Sequence, residues 1–110
     1  MESVLYKFKI RPNKLEEAKK IIDVLKERKK DTLETLVEEG TSMESVFFDE
    51  EFMYIFKYLE DLQRSNLLRN QSRHKLYEYL TPALREVLLE GEKICLMESA
   101  TFKVEHASDS

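Results

Sequence analysis

Residues 43–59 read MESVFFDEEFMYIFKYL, and the second half of this stretch carries apolar side chains on both sides of an extended backbone. With a period of two, Phe52, Tyr54, Phe56 and Tyr58 share one face, while Met53, Ile55 and Leu59 share the other. A strand that is apolar on both faces needs cover on both. One layer of helices covers one side of a sheet, and a chain of 110 residues has little material left for another. The expected cover is a second copy of the chain.

Upstream, Val4, Tyr6, Phe8 and Ile10 alternate with Leu5, Lys7 and Lys9, which predicts a strand that Arg11 and Pro12 end. Asn13, followed three residues later by Glu16, reads as a helix N-cap with a reciprocating acid. Leu15, Ala18, Ile21, Ile22, Leu25, Leu33, Leu36 and Val37 then trace one helical stripe over residues 14–39. A continuous helix of that span is roughly 39 Å long at about 1.5 Å per residue. Gly40 suits the left-handed position past its end. The stripe has a gap where Arg28, Lys29 and Thr32 replace apolar residues. Either the helix overruns the sheet there and Arg28 lies in solvent with its stem over the core edge, or Arg28 points into a polar pocket and its guanidinium holds a carboxylate.

Thr41–Phe48 and Phe52–Leu59 form a hairpin without a glycine in its loop, so turn chemistry leaves the register open. In the preferred register a three-residue loop pairs Phe48 with Phe52 and places Glu44 opposite Phe56, on the aromatic face. A shift of one residue pairs Glu44 with Lys57 instead. Glu60 and Asp61 put acids into the first turn of a second helix, whose apolar content is thin and which is expected to break near residues 70–72. Leu76, Tyr77 and Leu80 restore the pattern. Thr81 and Pro82 read as the N-cap and first residue of a further segment, which Gly91 stops. Residues 93–104 form the last strand, with Ile94, Leu96, Ala100, Phe102 and Val104 on one face. It is longer than its neighbours, and a partner subunit could pair its surplus backbone groups.

The order strand, helix, strand, strand, helix, strand predicts an α+β, ferredoxin-like domain over residues 1–104, with one antiparallel sheet, helices on one face and a polar tail at 105–110. Two such sheets face to face make a dimeric α/β barrel. Apolar residues at 42% and charged residues at 36% fit a globular chain with a charged surface. The net charge of -4, with acids and bases interleaved, excludes the basic stripe of a nucleic-acid surface. No apolar run reaches the ~20 residues of a membrane span. No secretory pattern opens the chain, which makes the cytoplasm the expected location. The single cysteine, Cys95, is expected to be a small buried side chain.

Residues 7–14 (KFKIRPNK), 37–40 (VEEG), 44–48 (ESVFF) and 54–56 (YIF) carry a resemblance to the dimeric α/β-barrel superfamily. Its members include antibiotic-biosynthesis-type monooxygenases, haem-degrading monooxygenases and rhamnose mutarotase. The chain is more closely similar to a small bacterial family of uncharacterised function within it. The resemblance implies a homodimer and a pocket between helices and sheet in each subunit, and it does not choose among the superfamily's unrelated reactions. The haem-degrading type would call for a helical histidine and a tryptophan. This chain has no tryptophan, and its two histidines are His74 and His106.

Candidate chemistry is drawn from Glu44, His74 and Tyr54 as acid–base groups, with Arg28 and Tyr6 as ligand-binding groups. Such a set could serve a cofactor-free monooxygenase or an isomerase. The other reading is a non-catalytic binding or structural homodimer. No cofactor is expected, because there is no glycine-rich phosphate loop, and no metal, because Cys95, His74 and His106 share no ligand spacing.

Overall fold

Which side chains meet the helices is decided by how the four strands are paired. The computed structural model describes residues 1–97 together with Ala100, Phe102 and Val104. The elements are β1 (Glu2–Ile10), α1 (Leu15–Glu27), α2 (Lys29–Glu39), β2 (Thr41–Phe48), β3 (Phe52–Leu59), α3 (Leu62–Gln71), α4 (Leu76–Val87) and β4 (Leu88–Met97). The sheet has the order β2-β3-β1-β4, with every pair antiparallel. This is the expected α+β, ferredoxin-like arrangement, with each helical crossover split in two. None of the described helices is long and apolar enough to cross a membrane.

Val4, Tyr6 and Phe8 on β1 lie opposite Lys57, Ile55 and Met53 on β3, Ile10 lies opposite Leu88 on β4, and all of these face the helices. Ile10, Ala18, Ile21, Met53, Val87 and Leu88 form the main core, and Val4, Tyr6 and Leu59 form a second cluster. Each fully buried aliphatic side chain contributes about 1.5–3 kcal/mol. Met53, Leu59, Leu76 and Val4, each under 2% exposed, are the anchors.

Several local expectations are corrected. The long helix is broken at Arg28 (φ -95°, ψ 44°) instead of running over residues 14–39. At the break the Thr32 hydroxyl bonds to the carbonyls of Leu25 (2.9 Å) and Arg28 (3.0 Å), so the gap in the apolar stripe is where the backbone changes direction. Asn13 is not the N-cap. It occupies the left-handed region (φ 63°) after Pro12, in a turn closed by the Lys14 amide on the Arg11 carbonyl (3.1 Å), the arrangement of a type II turn. Asp61 precedes α3 as its N-cap and accepts from the Arg64 amide at 3.2 Å, so the acids stand before the first turn rather than in it. Pro82 lies inside α4, because Leu76 is buried and His74 caps the helix start through its Nδ1 on the Leu76 amide (3.1 Å). Gly91 lies within β4, which begins at Leu88, where the pairing with β1 slips between Phe8 and Ile10. Cys95 is exposed on this edge strand rather than buried. The polar tail and the full reach of the last strand lie outside the described residues.

The hairpin adopts the shifted register, with Phe48 opposite Met53, Val46 opposite Ile55 and Glu44 opposite Lys57. The preferred pairing of Glu44 with Phe56 is therefore overturned. Asp49 is the cause. Its Oδ1 accepts from the amides of Glu51 (2.8 Å) and Phe52 (2.7 Å), an Asx turn that closes the loop without glycine.

Among the described residues, nothing covers the sheet on the side away from the helices. Phe52, Tyr54, Phe56 and Tyr58 are half-buried in the sheet surface, flanked by the exposed Phe47, Ile94 and Leu96. The Lys7 ammonium lies 4.0 Å from the Phe52 ring centroid, a cation–π contact on this face.

Gly40, at φ 74°, ends α2, and a methyl group added to it would meet nothing within 4 Å. Gly40→Ala is therefore expected to cost only the backbone penalty, about 1 kcal/mol. Leu59→Ala leaves a cavity and is expected to cost about 2–5 kcal/mol. Urea unfolding of the two variants measures both losses.

Candidate functional site

On β3 the core-facing positions run Met53, Ile55, Lys57, Leu59, and Lys57 is the one charged residue among them. A buried ammonium requires opposite charge close by. Glu39, in the last turn of α2 and held there by the Gly40 stop, places Oε2 at 3.5 Å from Lys57 Nζ. Glu44, brought opposite Lys57 by the hairpin register, places its Oε2 at 3.6 Å. Tyr77, in the first turn of α4, donates its hydroxyl to Glu39 Oε1 at 2.5 Å. Four elements thus meet around one cation.

The cluster lines a cavity of about 60 Å³ between helices and sheet, whose other walls include Ile21, Leu25, Val46, Ile55 and Leu80. That is room for on the order of four waters. Burial, together with the carboxylate of Glu39, holds the Tyr77 phenol protonated well above tyrosine's ordinary range. Arg69 of α3 also borders the cavity, with its guanidinium carbon 5.8 Å from the centre of the Tyr77 ring. Buried ion pairs contribute little net stability, because desolvation offsets their attraction. An apolar wall with two carboxylates, one ammonium and one phenol converging on it is an arrangement able to move a proton.

Of the five sequence-nominated residues, only Glu44 lines this cavity. Arg28 sits at the helix break, its side chain 31% exposed, and gives Nε (3.1 Å) and an Nη (3.0 Å) to Asp31 Oδ2, so it does not line the cavity. Tyr54 lies on the opposite sheet face and donates to Asp49 Oδ2 at 2.6 Å, a contact that raises the phenol's pKa and lowers the acid's. Tyr6 is buried beside Val4 and Leu59 with its pKa raised, mainly by desolvation. The expected gathering of the five around one slot does not form, because strand alternation sends Tyr54 and Glu44 to opposite faces.

His74 stands with Asp31 and Glu34, and their ligand atoms lie within 4.8 Å of one another. The trio does not suit a metal ion. His74 Nδ1 accepts the Leu76 amide, so the ring proton is on Nε2, which donates to Glu34 at 3.2 Å. Asp31 is already engaged by Arg28 and by Lys75 at 3.7 Å. The group works as a clasp between the two helix breaks.

Lys57, Glu39 and Tyr77 were missed as site residues. A signal existed for Lys57, the only polar residue in the inward row of β3. Glu39 and Tyr77 had none, since a glutamate near a helix end and a tyrosine on an apolar stripe are ordinary.

A model described as a family of unknown function (DUF6176) matches residues 1–106. No curated protein matches. Among solved structures, a conserved protein from Methanosarcina mazei Go1 is similar at 20% identity and a TM-score of 0.58, over 88% of this chain and 89% of that one. An antibiotic biosynthesis monooxygenase is similar at 15% identity and a TM-score of 0.57, over 92% and 99%. An L-rhamnose mutarotase from Formosa agariphila is similar at 15% identity and a TM-score of 0.61, over 96% and 100%. At these identities the likeness shows the fold alone, an α+β, ferredoxin-like arrangement.

Tyr77→Phe removes a hydrogen bond to a buried carboxylate and is expected to cost about 1.5–3 kcal/mol. Because the folded-state pKa of Tyr77 is raised from 10.0, its share of the stability is complete below that value and is lost as pH rises above it, where the unfolded chain releases the proton first. Unfolding curves between pH 9 and pH 11 are expected to fall less steeply for Tyr77→Phe than for the parent protein.

Proposed function

The chain belongs to the DUF6176 family, a family of unknown function, and we propose that it is a homodimeric small-molecule-binding protein that carries out an isomerase-type proton transfer beside a carbonyl. The observation that carries this reading is the buried Lys57 shared by Glu39 and Glu44 at the wall of an apolar cavity. Glu39 is occupied by both Tyr77 and Lys57, whereas Glu44 has Lys57 alone among the described residues and a side chain 19% exposed. Glu44 is the base. The Lys57 ammonium, facing the same space, stabilises the oxygen that gains charge as the proton leaves. With Glu39 and Glu44 set against Lys57 and Arg69 the lining carries no net charge, which suits a neutral carbonyl end. Tyr6, Arg28, Tyr54 and His74 take no part in the chemistry in this reading.

Size supports proton transfer over aromatic oxidation. A cavity of about 60 Å³ is well below the ~150 Å³ of an engineered cavity that holds benzene, so only a small end of a ligand fits. The second copy is proposed to cover the bare sheet face, where Phe47 is 57% and Leu96 54% exposed. The cytoplasm is the proposed location, where a lone exposed thiol such as Cys95 stays reduced.

Hydroxyacetone in D2O provides the test, with exchange of the hydrogens beside its carbonyl followed by NMR. The parent protein is expected to accelerate exchange, and Glu44→Gln to lower the acceleration about 100-fold or more with the fold intact. Equal exchange in the two proteins sinks the assignment of Glu44. Oxygen uptake on a hydroquinone that depends on Glu44 would favour a monooxygenase, and neither activity in the folded protein would leave a non-catalytic dimer. For the assembly, the melting temperature is expected to rise with protein concentration, and Phe47→Glu to abolish that dependence. A concentration-independent melting temperature in the parent protein removes the dimer.

A further inference from the structure

Next to the cavity, a groove of about 900 Å³ is bounded by α1, α2 and the edge strand β2. Its floor is apolar, built from Ile22, Leu25, Leu36, Val46 and Phe48, and Leu33 borders it 49% exposed. Lys19, Lys20, Lys26 and Lys29 line it as well, against the acids Glu16 and Asp23 of α1. Lys19 reaches Glu16 at 3.8 Å, whereas Lys20, Lys26 and Lys29 have no carboxylate partner among the described residues. With Glu44 counted, four lysines face three carboxylates, so the lining carries one uncompensated positive charge beside an apolar surface. Cavity and groove share Ile22, Leu25, Thr32, Leu36, Glu44 and Val46, so Glu44 faces both.

We propose that the groove binds an amphipathic carboxylate of fatty-acid type. The apolar body lies along the floor, the carboxylate meets the ammonium groups of Lys20, Lys26 and Lys29, and the far end reaches the cavity at Glu44. The size of the groove is within the ~300–1,000 Å³ of small-molecule sites. Charge orients the ligand. The charges lining the cavity balance, Glu39 and Glu44 against Lys57 and Arg69, whereas the lysine side carries excess positive charge, so the carboxylate stays outside and the uncharged end goes in. The placement of the far end rests on the proton-transfer reading of the cavity. The lysine end does not.

The test uses dodecanoate below its micelle-forming concentration, titrated into the full chain at low salt by calorimetry, with amide NMR shifts to locate it. Binding is expected, with shifts gathered on Leu33, Leu36 and Phe48, and dodecyltrimethylammonium is expected to bind more weakly. The K20Q/K26Q/K29Q variant, altered only at exposed positions, is expected to lose about tenfold in dodecanoate affinity and most of its salt dependence. Leu33→Glu, also at an exposed position, is expected to abolish binding. No binding, equal binding of the two surfactants, an unaffected triple variant, or shifts on Phe52 and Tyr54 of the bare sheet face instead would overturn the proposal. Dodecanoate binding as described, combined with Glu44-independent exchange of hydroxyacetone, would remove the proton-transfer reading and keep the groove. The reverse pattern would remove the groove alone.

Discussion

A lysine ammonium enclosed between a helix layer and a sheet has to be neutralised where it stands, and that requirement ties together otherwise separate parts of the molecule. Lys57 is 7% exposed. Its carboxylates come from the last turn of α2 and from β2, and Tyr77 links α4 to the same group through Glu39. Removing the ammonium would leave Glu39 and Glu44 facing each other without their shared cation in a poorly solvated place, which is far costlier than losing a surface pair. The cluster is therefore a geometric constraint first. It sets the end of α2, the register of β2 and the first turn of α4 against one another.

The broken helices follow from a related demand. An unbroken α1–α2 rod would be straight, whereas the observed turn at Arg28 carries α2 on to Glu39 and the Lys57 cluster. The Thr32 hydroxyl and the Arg28–Asp31 pair satisfy polar groups at that turn, and Asp31, Glu34, His74 and Lys75 bind it to the break between α3 and α4. The two breaks support each other. The walls of the cavity and of the groove beside it are drawn from the segments so placed, with Thr32 and Leu36 common to both.

The other side of the sheet obeys simpler physics. Its aromatic row is half-buried, with the Lys7 ammonium over the Phe52 ring, and the outer residues Phe47, Ile94 and Leu96 remain exposed. Apolar side chains in that arrangement lower the free energy of any contact that removes them from water. The sheet thus separates a polar, enclosed cluster on one face from an apolar, uncovered surface on the other.

Period-two alternation and the helical stripes are local properties, so the residues themselves announced the element order, the bounds of β2 and β3, the two-faced character of β3, the interruption after α3 and the stop at Gly40. Features set by competition between local and distant contacts were not legible. The Asp49 carboxylate replaced a glycine turn and moved Glu44 to the other face. The buried Leu76 and its His74 cap made α4 run through Pro82. Glu39 and Lys57 lie 18 residues apart and Tyr77 and Glu39 lie 38 apart. No pattern within a single element reports such a meeting, because the charge balance of a buried site is decided only when strands and helices close over it.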